Sequence, residues 1–193
     1  LVQRLYFTGL EPIIITGDGT PLGTLTLLGD PDDNVFTVQA DPNEAATHVE
    51  IASGTSPFES YDFAANTFTA MVIQSLTGND RIELLGYDPT DTYLATITLE
   101  GGLGDDHYVI GDDWRTIWLV ENENEGDDTL DFTPATADLL ITFGDRFIDI
   151  FVVTAGTNIL THLGDYVEHF IGGAGNDHFL LTQPGMEIAG GQA

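Results

Sequence analysis

The chain has 193 residues and a net charge of −28, from 32 acids against four arginines, with no lysine and no cysteine. That balance leaves no basic patch for nucleic acid or an anionic membrane surface. No run reaches the roughly 20 apolar residues of a membrane span, and no disulfide can form. Hydrophobic residues make up 42%, enough for a core, so a compact state must contend with self-repulsion. Bound cations or a solvated surface adapted to high salt would offset it.

In chain order, short alternating apolar stretches run into Gly/Asp-rich turns and out again. Thr24 to Leu28 enters Gly29-Asp30-Pro31-Asp32-Asp33 and leaves through Val35 to Val38. Ala70 to Leu76 enters Gly78-Asn79-Asp80 and leaves through Ile82 to Leu84. Thr96 to Leu99 enters Gly101 to Asp106 and leaves through Tyr108 to Ile110. Trp118 to Val120 enters Glu121 to Asp128 and leaves through Leu130 to Phe132. Val167 to Ile171 enters Gly172 to Asp177 and leaves through Phe179 to Leu181. β-Branched and aromatic residues at period two, bounded by Gly and Asp, predict strands joined by turns. The only helical signal is a single turn at Pro42 to His48. The residue two positions after each turn's last Asp (Val35, Ile82, Tyr108, Leu130 and Phe179) is expected to face inward.

The last Asp of each turn falls at 33, 80, 106, 128 and 177, a period of about 48 residues with one extra turn dividing the middle unit into 26 and 22. Repeat units of roughly 1–45, 46–95, 96–140 and 141–193 follow, in one elongated domain. The spacing predicts an all-β fold, a parallel β-solenoid or β-roll with Gly/Asp turns; β-sandwich-like units of about 48 residues are the alternative.

Gly101-Gly102-Leu103-Gly104-Asp105-Asp106-His107-Tyr108-Val109 fits the nonapeptide G-G-x-G-x-D-x-U-x, where U is a large apolar residue, and Gly172 to Leu180 fits it again without a mismatch. Gly126-Asp127-Asp128-Thr129-Leu130 and Gly78-Asn79-Asp80-Arg81-Ile82 keep its second half, and the turn from Gly29 to Asp33 keeps three defining positions. With these motifs the sequence resembles the RTX calcium-binding repeat family of secreted bacterial proteins. The chemistry suits the residue types. Calcium takes roughly 6–8 oxygens at about 2.3–2.6 Å, glycines let a turn aim carbonyls at one point, and Asp supplies charge.

The resemblance implies ions shared between turns stacked one coil apart. The turns at 80, 106 and 128 qualify, with Gly78, Asp80, Gly102, Gly104, Asp106, Gly126 and Asp128 as candidate ligands. Gly173, Gly175, Asp177 and Asp33 are further candidates; their sites are incomplete unless Asp145, Asp149 or Asp165 contributes. The expected function is a calcium-stiffened structural module of an extracellular, secreted or cell-surface protein, such as an adhesin, matrix fibre or surface layer. Its expected partners are calcium ions, neighbouring copies or cell-surface glycans. A carbohydrate-binding appendage of a secreted polysaccharide-modifying enzyme is the alternative.

Other signals carry less. Arg4, Arg81, Arg115 and Arg146 are scattered, and no H-E-x-x-H or G-x-S-x-G occurs, so an enzyme is not expected. His107 and His178 follow the motif Asp at a variable position, and His162 and His169 lack zinc-ligand spacing. Pairs such as Glu121 with Glu123 are unremarkable among 32 acids. Trp114 and Trp118 read as core and rim rather than a sugar platform. Thr24-x-Thr26, Thr67-x-Thr69 and Thr96-x-Thr98 resemble ice-binding ladders but are better explained by strand propensity. The chain opens on Leu1, not Met, and ends on Gly190-Gly191-Gln192-Ala193, the start of another motif. It is expected to be a segment of a longer protein.

Overall fold

The computed structural model describes residues 13–15, 22–42, 46–53, 56–64, 66–87, 91–92, 94–143, 151–164 and 167–180. Among them there is no helix. The strands are β1 (Ile13–Ile15), β2 (Thr24–Leu28), β3 (Asn34–Ala40), β4 (Ala46–Ser53) and β5 (Ser56–Ala64). Next come β6 (Ala70–Gln74), β7 (Arg81–Leu84), β8 (Thr96–Glu100), β9 (His107–Ile110), β10 (Thr116–Glu121) and β11 (Thr129–Asp131). The last are β12 (Leu140–Phe143), β13 (Phe151–Ala155), β14 (Asn158–Gly164), β15 (His169–Ile171) and β16 (His178–Leu180). The fold is all-β, with two mixed eight-stranded sheets: β1-β5-β4-β3-β7-β9-β11-β15 and β16-β12-β13-β14-β10-β8-β6-β2.

Strand alternation decides which side chains meet. In the second sheet Ile73, Leu99 and Leu119 are fully buried, and in the first Ile82, Tyr108 and Leu130; all belong to one apolar cluster. Parallel pairing aligns their strands: Ile82 lies beside Tyr108 and Tyr108 beside Leu130, while Ile73 lies beside Leu99 and Leu99 beside Leu119. The chain passes from second sheet to first after β2, β6, β8, β10 and β14, and back after β1, β5, β7, β9, β11 and β15. The two kinds of crossing therefore lie at opposite ends of the strands.

Three expectations are corrected. Residues 43–45 lie outside the described segments, but Ala46 to His48 enter β4, antiparallel to β3, so no helical turn holds them. Val35 is not an inward residue: it pairs with Arg81, and Phe36 pairs with Ile82 and is fully buried. The crossings from Leu27 to Phe36 and from Ile73 to Ile82 have the same length, since Leu27 pairs with Ile73 and Phe36 with Ile82; Asn34 rather than Asp33 holds the position of Asp80, so the inward residue two positions on is Phe36. Phe179 is half-buried against the core rather than within it. Antiparallel insertions, β4 with β5 and β13 between β12 and β14, interrupt the parallel stack and explain the uneven turn spacing.

Candidate metal centre

The turns that pass from the second sheet to the first form a column, stitched through backbone amides. The Asp80 amide donates to Asp106 Oδ1 (2.8 Å) across 26 residues, and the Asp106 amide to Asp128 Oδ1 (2.8 Å) across 22. The Asn34 amide donates to Asp80 Oδ1 at 2.6 Å, and the Asp128 amide to Glu168 Oε2 at 2.8 Å. This inner ladder runs Asn34, Asp80, Asp106, Asp128, Glu168. A second, exposed ladder runs beside it with the opposite polarity. The amides of Asn79, Asp105 and Asp127 donate to the side chains of Asp33, Asn79 and Asp105 at 2.8–3.0 Å.

The glycines are where they are because the turns touch. A Cβ on Gly104 would lie 2.5 Å from the carbonyl carbon of Gly78, and one on Gly78 2.7 Å from the carbonyl oxygen of Asp32. Gly104 also has φ +132°, a conformation that favours glycine. The first glycine of each full motif abuts its own Asp: a Cβ on Gly101 would meet Asp106 Cγ at 2.7 Å, and one on Gly172 would meet Asp177 Oδ2 at 2.6 Å.

One acidic triad stands out in the column. Asp106, Glu121 and Asp128 are buried, and one carboxylate oxygen from each lies within 4.8 Å of the others. Glu121 is carried there by β10, in phase with Ile117 and Leu119, and Tyr108 donates its hydroxyl to Glu121 Oε1. Asp106 Oδ2 and Glu121 Oε2 are buried with no hydrogen-bond partner. Burial, with the charges of Asp80, Asp128 and Asp105, pushes the Asp106 carboxyl up to about 7 against the Asp80 amide. Burial and the charges of Asp128, Asp106 and Glu125 push Glu121 up to about 10. Burial, reinforced by Glu168, pushes Asp128 up to about 6 even though the Asp106 amide favours its charged form. Asp80 is raised as well, chiefly by burial. Two orphaned buried oxygens among three converging carboxylates fit a hard cation, because an uncompensated buried charge is otherwise costly.

The structure divides the sequence-predicted residues into three groups. It brings Gly78, Asp80, Gly102, Gly104, Asp106, Gly126 and Asp128 into the column. Asp33 lies in the exposed ladder; the position equivalent to Asp80 is Asn34, because Asp33 aligns with Asn79. Gly173, Gly175 and Asp177 lie in the crossing after β15, at the opposite end of the strands from Asp106. There they stack on Ala135 to Leu139: the Leu139 amide donates to Asp177 Oδ1 (3.1 Å) and the Asn176 amide to Asp138 Oδ1 (2.7 Å). The two full nonapeptides therefore cannot share an ion. Asp145, Asp149 and Asp165 fall outside the described residues.

Sequence reasoning passed over Glu121, Glu168, Asn34 and Asp138. For Glu121 a signal existed: Ile117, Leu119 and Glu121 share the inward phase of one strand, and a carboxylate at an inward position needs a partner. The histidines are not gathered. His107 bridges Arg81 and Asp131 through its two ring nitrogens, at 2.9 and 3.1 Å, while His178 is exposed. Trp114 is core and Trp118 faces outward. No protein-family model, curated protein or solved structure matches the chain.

Proposed function

We propose that the chain is a calcium-binding structural module of a large secreted or cell-surface bacterial protein, related to the RTX repeats its nonapeptides resemble. In this reading the two sheets are the faces of a parallel β-solenoid running through a single domain, and the turn column carries the ions. The observation that supports it most is the buried triad of Asp106, Glu121 and Asp128, with its two orphaned oxygens. The donors are all oxygen, which favours a hard cation over zinc or copper. Three carboxylates on three successive segments also give such an ion a mechanical role, since it would clamp one turn to the next and hold the end of β10.

The test is thermal and chemical unfolding in calcium and in chelator, beside a calorimetric calcium titration. At the affinity of extracellular modules, roughly 10⁻⁴ M, a hundredfold excess of calcium stabilises the fold by about 2.7 kcal/mol. Glu121→Gln preserves shape, removes a ligand charge and lowers the affinity at least tenfold. A chain whose stability and heat of titration ignore calcium is not this module.

A further inference from the structure

Charge is distributed unevenly over this acidic molecule. On the first sheet the outward positions carry Glu50, Asp62, Arg81, Glu83 and Asp131, in contacts such as Arg81 with Glu83 and His48 with Asp62. On the second sheet the pattern is reversed. Its in-register row reads Thr26, Val72, Thr98, Trp118, Thr161 across β2, β6, β8, β10 and β14. Rows on either side add exposed Leu28, Ile159 and Leu163. Among the described outward side chains of this sheet the only acid is Glu100, which is tied to Gln74. A face almost free of carboxylates, on a chain with 32 of them, is not what solubility requires, and an exposed apolar patch of this kind marks an interaction site.

We propose that this face of the second sheet is a self-association surface, on which a second copy of the chain docks face to face. Two observations select that partner. The first is charge: two bodies at −28 repel through every acidic surface, and of the two sheet faces described, this one meets its copy with a single described carboxylate, Glu100, on each side. The second is area: eight strands about 4.8 Å apart and four to five residues long at about 3.3 Å each give a face of roughly 550 Å². Two such faces bury about 1,100 Å², just above the roughly 1,000 Å² of a specific interface and at the weak end of the range. Trp118 lies on β10, the fifth of the eight strands and so near the middle of the sheet, where an aromatic anchor contributes most. The proposal does not rest on the calcium reading, although lateral pairing is what a fibre or layer module would use.

The experiment is sedimentation equilibrium of the chain over a concentration series, in calcium, at about 0.05 and 0.5 M NaCl. A reversible dimer is expected, tightening at least several-fold at high salt, because salt screens the repulsion and leaves the apolar contact in place. Trp118→Glu abolishes it, and Thr37→Glu on the other sheet leaves it unchanged. Ile159→Glu is the second disrupting variant should Trp118→Glu fail to fold, as read by circular dichroism. A monomer at both salts overturns the proposal. So does a dimer that salt weakens, which would indicate calcium bridging acids, or one indifferent to both face variants. Melting with and without calcium on the same samples tests the calcium reading separately.

Discussion

Replacing Gly104 with Ala tests the contact between turns on which the whole column depends. The new methyl carbon would sit 2.5 Å from the carbonyl carbon of Gly78, against about 3.5–4.0 Å for a comfortable contact, so one turn must retreat by roughly 1 Å. Neither can do so freely: the Gly78 amide donates to Leu103 O at 2.9 Å, and the Gly104 amide to Glu125 O at 2.6 Å. Losing those two bonds costs about 1–3 kcal/mol each where the groups stay buried, and the positive φ of Gly104 adds about 1–2 kcal/mol for a residue with a Cβ. The total, about 3–8 kcal/mol, is a large part of a typical 5–15 kcal/mol stability. Gly156→Ala is the control. Gly156 has φ +61° and nothing within 4 Å of its Cβ direction, so it bears only the conformational cost of about 1–2 kcal/mol. Urea unfolding of both variants in calcium, followed by tryptophan fluorescence, compares them. Gly104→Ala should also weaken the calcium response, since the same turn carries Asp106. If the two variants lose equal stability, the turns do not stack as described.

In chelator the metal-free chain loses stability as pH rises from 5 to 8. Burial holds Asp106 at about 7, Glu121 at about 10 and Asp128 at about 6, so over this range the fold keeps protons that the unfolded chain has released, at about 1.4 kcal/mol per pH unit for each retained proton; saturating calcium flattens the slope, and a flat slope in chelator refutes the burial of the triad. Phe36→Ala costs about 3–5 kcal/mol in urea unfolding and Val35→Ala about 1 kcal/mol or less; the reverse ranking would restore Val35 as the inward residue. Asp106→Ala lowers calcium affinity by at least an order of magnitude in calorimetric titration, while Asp33→Ala in the exposed ladder changes it less than threefold.

Where a strand met a turn, the sequence was informative, because both carry local chemistry. Thr24–Leu28 and Thr96–Glu100 alternate cleanly and form β2 and β8, and the 26- and 22-residue steps reappear as ladder separations. Insertions were not legible. Strands β4 and β5 pair antiparallel over Ala46 to Ala64, and nothing local distinguishes such a hairpin from two more parallel strands. Asp33 was misassigned because an acid looked like the natural motif residue, whereas the column accepts Asn34 there: an Asn oxygen and an Asp oxygen serve an amide equally, and only the register separates them. The grouping of Gly172–Asp177 with Gly101–Asp106 failed for a different reason. A nonapeptide encodes a turn shape, and both ends of a strand need turns.

The two ladders also explain why the buried column could hold a cation where the exposed one has no need of it. Each inner carboxylate accepts the amide of the preceding turn through one oxygen, and a backbone offers only one amide per residue. A second oxygen is left over at every acidic rung. In the exposed ladder water serves it. Within the buried column the second oxygens of Asp80 and Asp106 have no hydrogen-bond partner, and neither has Glu121 Oε2 beside Asp106. Protons can occupy Asp106 up to about pH 7 and Glu121 up to about pH 10, at the cost of a fold that weakens as pH rises; a divalent ion would satisfy both and, unlike a proton, would tie the carboxylates of three segments to one point. The glycines bring the turns close enough for this, and the lengths of the intervening insertions do not matter, since 46, 26, 22 and 40 residues separate successive rungs while the ladder continues unbroken.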